Sequence, residues 1–332
     1  MAKIICVGSA SKDIFFPTSE GVILETPEDI FSQKKIAFEL GAKYQVAERF
    51  EALGGCAANV SVGLAKLGEQ SACYSKIGDD EIGSWIKKTF ISAGVDASLL
   101  EVESNCKSDL SSVIVDINSG ERTIFSDRDA NNKLTIIPEK INSAEWIFIS
   151  SLNGDWQNHL EELLKIAKEK EIKVAFNPGQ KNIKTDLHEV ATAIAQSEIF
   201  FVNKDEAMEI VGGLSDGATV DLLESEEYLA QYLYRLGAKV VVVTDGTRGA
   251  WSYDGGNIVH AEAIIQKAVD NTGAGDAFTS GFFAAYLKNK DLTECLKWGI
   301  ANSSSSVTQY GGQAGLLDEE KIKAFAEQVV IS

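Results

Sequence analysis

From Ala144 to Thr244 the chain alternates short apolar runs with longer amphipathic ones: Trp146 to Ser150, Leu160 to Lys170, Ile172 to Phe176, Leu187 to Gln196, Ile199 to Val202, Ala238 to Thr244. The short runs are continuously apolar, as strands buried on both faces are, and the longer ones suit helices crossing between them. This rhythm leaves few architectures open. The expected fold class is α/β, a doubly wound, mostly parallel sheet with helices on both faces. Lys3 to Gly8 is a further strand of the same kind. Ligands of such open sheets bind at the carboxyl ends of the strands. Function is therefore sought in the loops after Gly8, Phe176, Val202 and Thr244.

Two stretches break the rhythm. Phe15 to Leu53 has no crossover helix; Lys34 to Leu40 and Lys43 to Leu53 read as strands, the second with the alternation of a sheet that has one wet face. Asp109 to Asp127 reads as a hairpin around Asn118-Ser119-Gly120-Glu121. These pieces are expected to meet as one small β lid, residues 15–53 and 105–131. The α/β domain is then 1–14, 54–104 and 132–332.

Chemistry concentrates in Val269 to Phe278. Gly273 and Gly275 flank Ala274, so successive N–H groups can turn toward one point, and the apolar run from Phe278 to Leu287 reads as a helix. A helix N-terminus of this kind is an anion site. Asp276 either caps that helix or sets a carboxylate beside the anion. Gly54-Gly55-Cys56-Ala57-Ala58-Asn59 opens a second helix, Val60 to Leu67; Asn59 offers a donor and an acceptor to a sugar hydroxyl, or bonds locally. Asp13, in the loop after the first strand, is a candidate acceptor for substrate hydroxyls, and Asn177 is a candidate to reach the same cleft. Asp79 and Asp80 read as a cap and first-turn acid for a helix from Glu81 to Ala93. Asn203 and Glu206 have the spacing of a capping box.

The balance of 31 basic and 49 acidic residues leaves −18, a field that repels nucleic acid and anionic membrane, so a bound phosphate must be met by local donors. No apolar run is long enough to cross a bilayer, and Met1-Ala2-Lys3 leads directly into a strand; a soluble, cytoplasmic protein is expected. Five scattered cysteines without a C-x-x-C pair suit reduced core or near-core residues, and three distant histidines suggest no histidine-centred metal site.

Asp270 to Asp276, Asp-Asn-Thr-Gly-Ala-Gly-Asp, resembles the C-terminal signature of the ribokinase-like (PfkB) carbohydrate kinases. Gly54 to Asn59, followed by Gly68 and by Gly78 to Gly83, resembles the N-terminal one. The resemblance implies Asp276 as catalytic base, with an anion hole from the amides of Gly273, Ala274 and Gly275. It implies a sugar between Asp13, Gly54, Gly55, Asn59 and Asp276. For the nucleotide it implies Thr244 and Gly246 along phosphates and ribose, Gly249 shaping the turn, and Asn302 with Ile264 to Ala268 beside the adenine. Asn203 and Glu206 match an Asn-x-x-Glu motif that orders phosphates and magnesium-bound water, a hard cation that keeps several waters. Thr272 completes the nucleotide set, and a monovalent cation (K⁺) near Asp270 and Thr272 is implied for some members.

The implied activity is ATP- and Mg²⁺-dependent phosphorylation of a hydroxyl, a primary one, of a small carbohydrate such as ribose, fructose or 2-keto-3-deoxygluconate. A nucleoside acceptor is the alternative, and a catalytically silent nucleotide- or sugar-binding protein is the alternative of another class. Phe15, Phe16, Phe31, Phe38 and Phe125 suit either stacking on a base or packing. A phosphorylated acceptor would need Lys43, Arg49, Arg122 and Arg128 of the lid to converge. Lid-mediated homodimers of relatives imply a homodimer here.

Overall fold

The structure is a computed structural model that describes residues 3–26, 34–215 and 217–332. The first third of the chain supplies β1 (Ile4–Val7), β2 (Ser11–Thr18), β3 (Val22–Glu25), β4 (Lys34–Ala37), β5 (Phe50–Gly54), α1 (Cys56–Lys66), β6 (Ser71–Gly78), α2 (Glu81–Ser92) and β7 (Leu100–Glu103). Next come β8 (Leu110–Asp116), β9 (Arg122–Asp127), α3 (Pro138–Ile141), β10 (Trp146–Ile149), α4 (Trp156–Glu169), β11 (Lys173–Phe176), α5 (Gln180–Thr185), α6 (Leu187–Ala195) and β12 (Ile199–Asn203). The remainder is α7 (Lys204–Leu214), α8 (Val220–Leu223), α9 (Glu226–Arg235), β13 (Val240–Thr244), β14 (Ala250–Tyr253), β15 (Val259–Ala261), α10 (Ala274–Leu287), α11 (Leu292–Ser306) and α12 (Glu319–Ala326).

Nine strands form the main sheet in the order β15-β14-β13-β12-β11-β10-β1-β6-β7. All neighbours are parallel except β14, which is antiparallel to both β13 and β15. The two-residue period of a strand divides its side chains between two cores. Ile4, Cys6, Phe148 and Val242 lie on the face covered by α1, α10 and α11; Ile5, Val7, Ile147, Val241 and Val243 lie on the face covered by α4, α6, α7 and α9. Each fully buried Val, Ile or Phe contributes roughly 1.5–3 kcal/mol, so both helical layers are needed to stabilise strands this apolar. The expected doubly wound sheet is what the chain adopts.

Helices α10 and α11 approach closely because Gly281 rests against the Trp298 carbonyl and Gly299 lies under the Phe278 ring. Ser304 and Ser306 are buried in the same region, and Ser306 Oγ donates to Ser303 O (2.8 Å), as expected of small hydroxyls in a tight helix pair.

The lid is a four-stranded sheet, β5-β2-β8-β9, in which β2 pairs in parallel with β8 and antiparallel with β5. Phe15, Val113 and Val115 fill its inner face against Tyr310. The expectation of one small sheet needs correction, because β3 and β4 form a separate two-stranded ribbon. The strand expected over Lys43 to Leu53 is also too long, since only Phe50–Gly54 pairs. Alternation there serves a local loop: Tyr44 Oη accepts from Glu39 N–H (3.0 Å) and its ring meets Phe38 edge-on (5.4 Å). Phe31 lies outside the described residues. No described helix is long and apolar enough to cross a membrane.

Candidate active site

Helix α10 begins at Gly273, which caps it at φ 76°, in the left-handed region that favours glycine, and with only 2.6 Å between a built Cβ and Gly312 Cα. Among the described residues the N–H groups of Gly273, Gly275 and Asp276 have no acceptor, while that of Ala274 makes a long 3.4 Å contact with Asn271 O. The first turn of α10 therefore presents unmet donors at the positive end of its dipole. Asp270 holds the turn from below. It is buried, Oδ1 accepts from Thr272 N–H (3.0 Å) and Oγ1–H (2.7 Å), and Oδ2 accepts from Gly311 N–H (2.8 Å).

On one side of this turn opens a cavity of about 460 Å³, within the range of nucleotide-sized sites. Thr244, Gly246 and Gly249 form one wall, Ala274 and Gly275 its polar end, and Ile264, Ile265, Phe278, Ile300 and Val307 its apolar end. The lid reaches this cavity through Glu121 and Arg122, and Asn271 Nδ2 donates to Glu121 Oε1 (3.2 Å). Asn203 lies next to Thr244 across the β12–β13 ladder.

On the other side lies the cleft under the lid. Asp276 and Asn59 come from helices 217 residues apart in sequence and meet with Asn59 Nδ2 donating to Asp276 Oδ2 (2.8 Å). Gln313 Nε2 donates to Asn59 Oδ1 (3.1 Å), fixing the amide orientation. Burial pushes the Asp276 carboxyl up to about 6; donors on Asn59 and Cys56 and the Arg122 charge oppose this, and Asp13 adds to it. The Cys56 thiol is itself held well above its usual range by Asp276 and by burial, so it stays a protonated donor.

Asp13 is not in a loop. It sits on β2 opposite Ala52 and Ser111, buried, with Ser11 Oγ donating to Oδ1 (2.9 Å), and burial raises its pKa. Gly54 leaves the space that its carboxylate fills, and Gly55, at φ 96°, turns the chain from β5 into α1 against the Ser9 carbonyl.

Other expectations are met differently. Asn203 and Glu206 form a complete capping box on α7: Asn203 Oδ1 accepts from Glu206 N–H (2.9 Å), and Glu206 Oε2 from Asn203 N–H (3.3 Å). Burial nevertheless pushes Glu206 up to about 7, against the Asn203 hydrogen bonds, so an added cation would favour its ionised form. Among the described residues no group of three or more His, Cys, Asp or Glu is placed to hold a metal ion; Glu206 offers a single carboxylate, so any ion there would take most of its oxygens from water and phosphate.

Asn302 does not reach the cavity. It is fully buried with Nδ2 donating to Ala277 O (2.9 Å) and Ser280 Oγ (3.2 Å), and Oδ1 accepting from Leu317 N–H (2.9 Å); Ser303 and Ser304 line the wall instead. Thr272 lies beneath the turn with its hydroxyl on Asp270. Asn177 Nδ2 is used by Phe201 O (2.9 Å). Asp80 caps α2, donating nothing and accepting from Gly83 N–H (2.7 Å), while Asp79 precedes the cap rather than joining the first turn.

Sequence alone assigned no site role to Cys56 or Gln313, and to Arg122 only that of a lid cation for a phosphorylated acceptor. Cys56 and Asn59 are three residues apart on α1 and so share a face, which is a signal the sequence carried. Gln313 and Arg122 arrive by tertiary contact alone.

A model of the pfkB family of carbohydrate kinases matches residues 29–319. The chain belongs to that family. It is 29% identical over 290 residues to the ribokinase of Haemophilus influenzae, covering 86% of this chain and 90% of that one. It is 27% identical over 279 residues to the 5-dehydro-2-deoxygluconokinase of Bacillus licheniformis, covering 80% and 83%. The crystal structure of the Methanocaldococcus jannaschii nucleoside kinase, an archaeal member of the ribokinase family, superposes with a TM-score of 0.74 at 25% identity, covering 99% of each chain. As a pfkB kinase the chain is an ATP-dependent phosphotransferase for a sugar or nucleoside, on a ribokinase-like fold.

Proposed function

We propose that this kinase moves the γ-phosphoryl group of ATP to a primary hydroxyl of a small carbohydrate lying between Asp13, Asn59 and Asp276. The observation that carries this reading is the position of Asp276, whose helix start borders the cavity while its carboxylate meets Asn59 in the cleft. The acceptor oxygen bonds to the γ-phosphorus, the bond from that phosphorus to the bridging oxygen of ADP breaks, and the hydroxyl proton passes to Asp276. Free amides of the α10 turn offset the charge on the transferring group. An ADP-release assay with ribose, fructose, 2-keto-3-deoxygluconate and adenosine tests it: turnover of a sugar supports it, turnover of adenosine alone transfers the reading to a nucleoside kinase, and no turnover favours a silent binding protein. The nucleoside reading is kept because the archaeal nucleoside kinase matches over the whole chain.

The base must be ionised to accept a proton, so kcat/KM is expected to fall as pH drops through about 6 and to level off above it. Asn59→Ala removes a donor to the ionised form. A hydrogen bond to a charged group contributes about 1.5–3 kcal/mol, so the inflection is expected to rise by about one pH unit or more. An inflection that stays in place counts against Asp276 as the titrating group.

Glu206 and Asn203 are the residues that would hold hydrated Mg²⁺, which supplies charge neutralisation at the phosphates. Chelation by EDTA is expected to abolish turnover. A potassium ion near Asp270 and Thr272 belongs to the same proposal, and unchanged kcat in potassium-free buffer would remove it. The outer lid face, where Phe16, Phe38, Tyr44, Ile114 and Phe125 line an apolar groove beside β9, whose outer edge is unpaired among the described residues, is the proposed homodimer contact. Sedimentation velocity reads this directly, a monomer at working concentration being the adverse result.

A further inference from the structure

Arg128 follows β9 at the point where the lid returns to the α/β domain, and only 25% of its side chain is exposed. A guanidinium carries five donors and stays charged at any working pH. Here Nη2 donates to Ser111 Oγ (3.2 Å), Nε stands 3.9 Å from Asp109 Oδ2, beyond hydrogen-bond reach, and Nη1 is buried with no partner among the described residues. Asp109 is not free to close the gap, because Asn131 already donates to it from N–H (3.2 Å) and from Nδ2 (2.8 Å). Arg128 is thus a partly buried cation whose Nη1 is fully buried and unmet, an arrangement that costs stability unless an acceptor arrives.

The position of the group says where that acceptor would come from. Ser111 is the ladder partner of Asp13 between β2 and β8 and its hydroxyl counters the rise in the Asp13 pKa, so Arg128, Ser111 and Asp13 are neighbours in one row. The Arg128 charge is also felt at Cys56, the thiol that bonds Asp276. Arg128 therefore borders the acceptor cleft and not the nucleotide cavity, whose cation from the lid is Arg122.

We propose that Arg128 sets acceptor specificity and that the cleft takes a sugar acid, with the carboxylate received by the Arg128 guanidinium beside Ser111 and Asp13. This rests on the kinase reading above. A sugar hydroxyl meets one N–H, whereas a carboxylate matches the planar fork with two parallel bonds and cancels the charge. A phosphate dianion would call for more cations than the site has. Arg49 and Lys12 are both committed to Glu51 (3.0 and 2.6 Å), Arg122 is at the nucleotide cavity and Lys43 is exposed, so the lid cations do not converge.

The test uses acceptors that differ in one group. 2-Keto-3-deoxygluconate, gluconate and ribonate are compared with 3-deoxyfructose, glucitol and ribitol, in which the carboxylate is replaced by hydroxymethyl; fructose 1-phosphate is the phosphate arm. Turnover is followed by ADP release, and binding by calorimetry without nucleotide. The wild type is expected to prefer at least one acid over its neutral counterpart by 30-fold or more. Arg128→Met is expected to collapse that ratio to below about threefold, mainly through KM for the acid, while Arg128→Lys, which keeps the charge and loses the fork, restores only part of it. Arg128→Met/Asp109→Asn controls for an uncompensated buried acid. A wild type that treats each pair alike, a selectivity ratio unmoved in Arg128→Met, or a response confined to the sugar phosphate would overturn the proposal. If no acceptor is turned over, the kinase reading fails by itself, and the calorimetric preference still decides whether the cleft binds an acid.

Discussion

Asp276→Asn is expected to lower kcat by roughly 10²–10⁴ while leaving the binding of nucleotide and acceptor within a few-fold of wild type. The change keeps the size of the side chain and the position of α10, and removes the proposed proton acceptor. A carboxylate poised at about 6 is a better base than one at the usual carboxylate value, and burial next to Asn59 and Cys56 is what raises it. It is still weak for a free alcohol, so the proton moves late, as the forming bond to phosphorus makes the hydroxyl acidic. The loss should therefore appear in the chemical step, and rapid-quench single-turnover measurements isolate it. Near-wild-type single-turnover rates in this variant would remove Asp276 as the base and with it the proposed geometry of transfer.

The second large effect concerns a residue that touches no substrate. Asp270→Ala strips three donors of their acceptor, two of them the main-chain N–H groups of Thr272 and Gly311, in a buried setting. Each orphaned buried donor costs about 1–3 kcal/mol, so thermal or urea unfolding should register a loss of roughly 2–5 kcal/mol. The same contacts tie the anion turn to the Gly311–Gln313 segment that steadies Asn59. An error of 1 Å in a reacting group costs about 10²-fold, and kcat is expected to fall by that order even where the variant is fully folded. Asp270→Asn keeps one acceptor oxygen and should fall between the two in both measurements. A variant that loses stability and retains full kcat would show that the turn is rigid without this clamp.

The strands that the sequence marked most clearly are those with no polar interruption, and their ends were placed within a residue or two: Trp146–Ile149, Lys173–Phe176 and Ile199–Asn203. The caps of α2 and α7 were equally plain, because Asp80 and Asn203 act on groups three residues away. The lid was harder. Tyr44 to Arg49 alternates as a strand does, yet alternation only permits pairing, and among the described residues no strand pairs with it. Asp13 was assigned to a loop because the strand that holds it is recognisable only once Ala52 and Ser111 stand on either side.

The site divides in the same way. Gly273 to Asp276 could be read as an anion turn from sequence because a helix start, a left-handed glycine and a following apolar face are all local properties. Asn302 was placed beside the adenine by the family resemblance alone. It turned inward because three main-chain and side-chain partners of α10 and the loop before α12 compete for its amide.

By itself the sequence determined that this chain makes a buried parallel sheet with a glycine-led helix start, since period, capping and turn geometry act over a few residues. Tertiary structure alone decided that Asn59 and Cys56 meet Asp276, that Gln313 braces the amide, and that Arg128 stands beside Asp13 with donors unmet. Those contacts join residues far apart in the chain, and they arise from how helices and strands pack rather than from any pattern a local stretch can carry.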